Sequence, residues 1–200
     1  MVSVASADPE PRFRRPVPGD AVDVARELFD AGERIDVLAV ARRLGVSRAT
    51  MHRWFGTRDQ LVAAVLDRLS EDLVAAAVQA TRGTGDERVY DFTRHLAAAA
   101  GALAPLRATA EREPGLVVQL MLAAGGPVRP RVLDAVRGML AEGRTPAQVR
   151  RLEPVIETYV DAATALQWAL LAAGRDPDPE RYVAIGRALF TAAEAPSPER

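Results

Sequence analysis

The sequence predicts an all-α chain built as two successive helical bodies. Three observations carry this: from Pro18 onward apolar residues recur at spacings of three and four, Ala and Leu dominate the recurring positions, and no stretch alternates with period two over a strand's length. With 200 residues, 48% of them hydrophobic, the chain can bury a sizeable core. There are no cysteines, which excludes a disulfide framework, thiolate metal sites and cysteine nucleophiles. A net charge of −1 excludes a protein that coats nucleic acid along its whole surface, but leaves room for a local basic patch. All basic residues are Arg, a bias spread over every part of the chain that carries no functional weight.

The opening residues 1–18 are rich in Pro and small polar residues and read as a disordered tail. They hold no apolar signal-peptide core, so the expected location is the cytoplasm. Arg12, Arg14 and Arg15 flank Phe13 there; a minor-groove arm and a solvated tail are both readings of this cluster, and the solvated tail is preferred. Asp20 is placed to cap a first helix with Ala21, Val24, Ala25 and Leu28 on its apolar stripe, ending near Ala31-Gly32. Asp36 caps a short second helix, Val37 to Leu44, and Gly45 sits where a left-handed turn would end it. Ser47 caps the third helix, Arg48 to Phe55, with Val46 and Met51 spaced as a hydrophobic staple. Gly56 closes it, and Thr57 with Gln60 forms a capping box for a long fourth helix to about Ala80.

The segment RGTGDE, residues 82–87, breaks the chain before a helix from Asp86 to about Ala104. Pro105, Pro114, Gly125-Gly126-Pro127, Pro146 and GRDPDP, residues 174–179, then divide the second body into five or six helices. Pro154 either kinks a helix or sits in its first turn. The most apolar run, Val155 to Ala173, is interrupted by Glu157, Asp161 and Gln167, so it reads as a buried amphipathic helix rather than a membrane span.

The functional signal lies in GVSRATMHRWFGTRDQL, residues 45–61. No acidic residue occurs between Val37 and Arg58. Projected at about 100° per residue, Met51, Trp54 and Phe55 fall on the packed side of the third helix, and Ala49, Thr50, His52 and Arg53 on the other, with Arg48 at the edge. Such a face can approach a surface closely and offer it donors, which suits the major groove of DNA. Ala41 and Gly45, four apart, with Val40, Leu44, Val46, Met51 and Trp54 around them, let two helices cross steeply in a helix-turn-helix. Arg53, Thr50 and Ala49 are the candidate base readers. Arg42, Arg48, His52 and Arg58 are the candidate phosphate anchors, Arg58 adding its charge to the positive end of the fourth helix. Trp54 either donates its indole N–H or packs.

On these residues the stretch 25–66 resembles the DNA-binding domain of the TetR family of bacterial transcriptional repressors. The features that carry the resemblance are Leu28-Phe29, the turn Gly45-Val46-Ser47, Thr50, Phe55, and Arg58 followed by an acid and Leu61. Within that family the N-terminal half is similar to the QsdR-like regulators, which are associated with lactone signal degradation. The family often carries Tyr at the position of His52, where it touches a phosphate, and His at the position of Trp54. The resemblance implies residues 19–66 as a helix-turn-helix DNA-binding domain and residues 67–195 as a ligand-binding and dimerisation domain.

The long helices at residues 155–173 and 179–193 have wide apolar faces with small residues Ala162, Ala163, Ala169 and Gly186. The resemblance implies that they pair with their copies across a two-fold axis, so that a homodimer places two recognition helices roughly 34–36 Å apart on double-stranded DNA. Phe92, His95, Met121, Tyr159 and Trp168 are candidates to line a pocket for an apolar or amphipathic effector, although core packing accounts for each one singly. His52 and His95 are too few for a metal site, and no cofactor is expected. No nucleophile with a base at readable spacing and no phosphate loop points to an enzyme. The chain is therefore expected to be a ligand-responsive regulator, most simply a repressor, the alternative being a helical interaction module that binds protein instead of DNA.

Overall fold

The computed structural model describes residues 14–122 and 126–195, and among them the chain forms ten helices and no strand. Of the expected N-terminal tail, residues 1–13, with Arg12 and Phe13, lie outside the described residues, as does Gly125 of the expected break after the seventh helix. The first body contains α1 (Pro18–Asp30), α2 (Val37–Leu44), α3 (Arg48–Phe55) and the start of α4 (Arg58–Ala80). The second contains the rest of α4, α5 (Gly85–Ala102), α6 (Ala104–Arg112), α7 (Pro114–Leu122), α8 (Arg129–Ala141), α9 (Pro146–Ala172) and α10 (Pro179–Glu194). The boundary expected at residue 66 thus falls inside a continuous helix.

Local chemistry sets most helix ends as expected. Asp36 accepts the backbone N–H groups of Leu38 and Ala39 at 2.6 and 2.9 Å. Gly45 takes φ +66°, a conformation that a side chain would strain, and its turn closes with Val46 N–H donating to the Ala41 carbonyl at 3.0 Å. Thr57 and Gln60 form the reciprocal box at the head of α4, and Thr145 with Gln148 forms another at the head of α9.

Three expectations are corrected. Asp20 does not cap α1. Proline favours the first helical position, so the helix starts at Pro18, and Asp20 reaches back from the third position to accept the Val17 N–H at 2.7 Å while holding Arg14. Helix α9 begins at Pro146 rather than near residue 155 and runs through Pro154. Pro154 and Arg150 are both exposed, so the Arg150 carbonyl that proline cannot satisfy lies on the solvent side. Finally, Gly186 and Ala163 are not on an outward face: Gly186 is buried, and Ala163 packs against the second core. Ala162 is half-buried and Ala169 exposed.

Buried side chains form two clusters. One runs from α1, α2 and α3 through the first half of α4 into Leu106, Ala110, Val117, Met121, Trp168 and Leu171, so the apolar interior of the first body continues into the second without a break. The other joins the end of α4 to α5, α8, α9 and α10 around Phe92, Ile156, Tyr159 and Phe190. In it α10 seats itself through a glycine: a Cβ on Gly186 would stand 2.7 Å from Tyr159 Cε2 and 2.9 Å from Tyr90 Cε1. Both rings are buried, so a side chain at this position would have to displace them. Gly186→Val is therefore expected to destabilise the fold by about 1–3 kcal/mol through overpacking. A fall in the urea midpoint checks this, whereas an unchanged midpoint would show that the rings move aside.

Candidate nucleic-acid interface and its link to an internal cavity

The α2–turn–α3 unit is held from beneath and bare on top. Val40, Ala41 and Met51 are buried, and Trp54 and Phe55 are half-buried against the first core. The projection of Trp54 onto the packed side thus holds. Ser47 Oγ accepts the Thr50 N–H at 3.1 Å and lies 3.0 Å from Thr50 Oγ1, which orients the hydroxyl of the half-buried Thr50. Arg48, Ala49, His52 and Arg53 are exposed on the outer face, with Arg42 exposed on α2 beside it. Among the described residues no carboxylate pairs with Arg42, Arg48 or Arg53, whereas Arg43 meets Glu27 at 3.2 Å. Free guanidinium groups on an acid-free face can each bind an anionic or acceptor-rich surface without first breaking a pair.

His52 and Arg58 are placed differently from the expectation. His52 Nδ1 lies 2.6 Å from the Gly56 carbonyl. A carbonyl only accepts, so Nδ1 carries the proton and Nε2 faces outward, as an acceptor in the neutral ring and a donor only in the protonated one. A phosphate contact by His52 therefore requires the charged imidazole. Its spacing of four to the glycine ending α3 was the sequence signal for this capping role.

Arg58, expected on a phosphate, is turned inward. Its Nε donates to the Ile35 carbonyl at 2.7 Å, and its two terminal nitrogens donate to Glu113 Oε2 and Oε1 at 2.7 Å each. The two side chains are 23% and 21% exposed, so the fork is shielded from solvent. Arg34 stands 3.4 Å from the same carboxylate, and Arg112 donates to the Gly32 carbonyl at 3.1 Å. The junction of α6 and α7 is thereby fastened to the α1–α2 loop and to the head of α4. Sequence reading missed Glu113 because its partner lies 55 positions away.

A partly open cavity of about 90 Å³ lies at the seam of the two cores. Leu66, Leu106, Met121 and Trp168 of the first cluster and Phe92, Val136 and Tyr159 of the second all line it. Four of the five expected pocket residues, Phe92, Met121, Tyr159 and Trp168, are thus brought together. His95 is not: its ring is 45% exposed on α5 and stands 3.6 Å from Asp91, because the three-residue step from Phe92 rotates it off the packed face. Among the described residues no group of His, Cys, Asp or Glu is arranged to hold a metal ion, and no helix is long and apolar enough to cross a membrane.

Helix-turn-helix, inter-body fork and apolar cavity define a one-component regulator fold. Residues 84–191 match the family model described as the tetracyclin repressor-like C-terminal domain. The chain belongs to the TetR family of transcriptional regulators. It is similar in structure to the TetR-family transcriptional repressor QsdR of R. erythropolis, with 24% identity and a TM-score of 0.75 over 87% of this chain and 94% of that one. It is also similar to the TetR-family repressor AlkX of Dietzia sp. strain DQ12-45-1b, with 17% identity and a TM-score of 0.61 over 90% and 97% of the two chains. A TetR regulator of Streptomyces coelicolor matches with 18% identity and a TM-score of 0.52 over 89% and 97%. No curated protein matches the chain.

Hydrogen bonding to Arg58 holds the Glu113 carboxyl below the usual glutamate range. A carboxyl lowered in the folded state stabilises fully above its unfolded value, and the contribution is lost as pH falls through the lowered one. Glu113→Gln is expected to lower stability at neutral pH by on the order of 2 kcal/mol and to flatten its acid dependence. Urea melts of both proteins from neutral to acid pH check this; parallel curves would show that the fork does not support the fold.

Proposed function

We propose that this protein is a cytoplasmic, ligand-responsive repressor that binds a palindromic operator as a homodimer and leaves it when a small apolar or amphipathic effector enters the cavity. Residues 19–66 act as the DNA-binding unit and residues 67–195 as the regulatory and dimerisation unit, with no catalytic step. The observation that carries this reading is the exposed, acid-free face of α3 with three guanidinium groups around it that pair with no carboxylate among the described residues. Arg53, Thr50 and Ala49 read base edges; Arg42, Arg48 and protonated His52 hold phosphates. Arg58 serves the fork to Glu113 instead of the DNA.

The response follows from the placement of the cavity. Leu106 on α6 and Met121 on α7 form part of its wall, and Glu113 lies between those two helices. An effector that fits a wider cavity favours a state in which α6 and α7 move and carry Glu113, Arg58 and the head of α4 with them. It can do so only by the difference in its affinity for the two states. Dimer pairing through α9 and α10 then converts a tilt of each first body into a changed distance between the two copies of α3.

In a gel shift, affinity for the operator is expected to fall steeply with salt, close to linearly on logarithmic axes. Absence of any retained promoter DNA at low salt would sink the reading. Arg53→Ala is expected to lose about 1–3 kcal/mol of preference for operator over random DNA while leaving random-DNA binding nearly unchanged. Light scattering should give twice the chain mass of 21.5 kDa.

A further inference from the structure

The cavity wall has a chemical bias that narrows what can occupy it. Among the described residues no charged side chain lines it. An ionised carboxylate or amine entering it would lose its hydration without a counter-charge, so the occupant is neutral. Most of the wall is aliphatic or aromatic, and the polar groups on it are few enough to follow one proton at a time.

Ser70 spends its hydroxyl proton on the Asp67 carbonyl at 2.7 Å. Thr93 donates to the Val89 carbonyl at 2.9 Å, so its oxygen accepts from the Tyr159 hydroxyl 2.7 Å away, and the Tyr159 proton is spent as well. Gln167 gives an N–H of its amide to the Ala97 carbonyl at 3.4 Å. Tyr182 differs from these groups. It lines the cavity, is 1% exposed, and its hydroxyl has no hydrogen-bond partner among the described residues. The Asp178 backbone N–H lies on the side of that oxygen without reaching hydrogen-bond geometry, and an amide N–H could in any case only donate to it. The Tyr182 proton thus has no acceptor among the described residues. Burial pushes the phenol above its ordinary range, so this proton stays in place. A fully buried donor left unmatched beside the matched hydroxyls of Ser70, Thr93 and Tyr159 is a position for a group that arrives from outside. The Thr164 hydroxyl also lines the cavity without a hydrogen bond among the described residues, but on a residue only half-buried.

We infer that Tyr182 is the polar reader of this cavity, and that the effector is a neutral apolar molecule bearing a hydrogen-bond acceptor, such as a ketone or ester carbonyl, set against the Tyr182 hydroxyl. This rests on the reading of the cavity as the effector site. The aliphatic wall takes the hydrocarbon part and supplies most of the affinity; Tyr182 supplies orientation and discriminates the acceptor-bearing molecule from its plain hydrocarbon counterpart. Tyr182 belongs to α10, so an occupant bonded to it also touches the helix expected at the dimer interface.

The test uses the full chain and three probes of nearly equal length: methyl pentyl ketone, heptane and heptanoate, titrated calorimetrically into the wild type and Tyr182→Phe. The expected result is that the wild type binds the ketone at least tenfold more tightly than heptane or heptanoate. In Tyr182→Phe the ketone falls to the affinity of heptane, and heptane itself is unchanged. Equal affinity of the wild type for ketone and heptane, preference for heptanoate, binding of none of the three, or a ketone preference that survives in Tyr182→Phe would each overturn the inference. The wild-type comparison stands even if the variant folds poorly. A gel shift with the same probes separates the two readings. Ketone binding with the expected ratios but no release of operator sinks the effector role and leaves the cavity chemistry standing. Release by ketone and heptane alike sinks the cavity chemistry alone.

Discussion

The fork between Arg58 and Glu113 is the contact on which the relation between the two bodies depends. One guanidinium spends its Nε on the Ile35 carbonyl and its two terminal nitrogens on Glu113, so a planar group ties the α1–α2 loop, the head of α4 and the α6–α7 junction into one rigid triangle. Arginine suits this and lysine would not, because only a fixed fork can meet a carbonyl and a bidentate carboxylate in one plane. The apolar side of the same junction is the first core, which continues from α1 and α4 into Leu106, Ala110, Val117 and Met121. The polar and apolar attachments act together: the core keeps α6 and α7 close to the first body, and the fork sets the angle.

The cavity occupies the place where a change in volume reaches both bodies. Its wall draws on the two cores at once, and close-packed interiors respond to added volume by shifting whole elements. On the α8–α10 side the wall includes Tyr159, which packs with Tyr90 over Gly186 of α10. The α6–α7 side is joined to the first body through the fork.

Polar groups left without a partner among the described residues stand on α3 and in the cavity wall. On α3 the guanidinium groups of Arg48 and Arg53 have no carboxylate among the described residues, while the Ser47 and His52 side chains are bound to the backbone and fix the frame that carries them. In the cavity, Ser70, Thr93 and Tyr159 form closed hydrogen bonds and Tyr182 does not. The open groups on α3 lie at a surface and the Tyr182 hydroxyl at a void, whereas Arg131 Nε is left open beside the ion pairs of the same side chain with Asp67 and Glu71.

Caps, turns and helix periods depend on residues within a few positions of one another, so the sequence by itself determined the helical class, the Asp36, Ser47 and Thr57 caps, the left-handed turn at Gly45 and the outward face of α3. It also determined four of the residues around the cavity, because large aromatic and sulfur side chains on apolar stripes must meet in the interior. What only the tertiary structure decided were choices between partners far apart in the chain. Arg58 sits at a helix head, where charge rules favour a phosphate, and only folding brings Glu113 within reach. Gly186 reads as a site of close approach between subunits until Tyr90 and Tyr159 are seen to fill the space above it. His95 shares a helix with Phe92 but not its face. The physical reason is common to all three: a local pattern states what a side chain is able to contact, and the packing of distant helices decides which contact it makes.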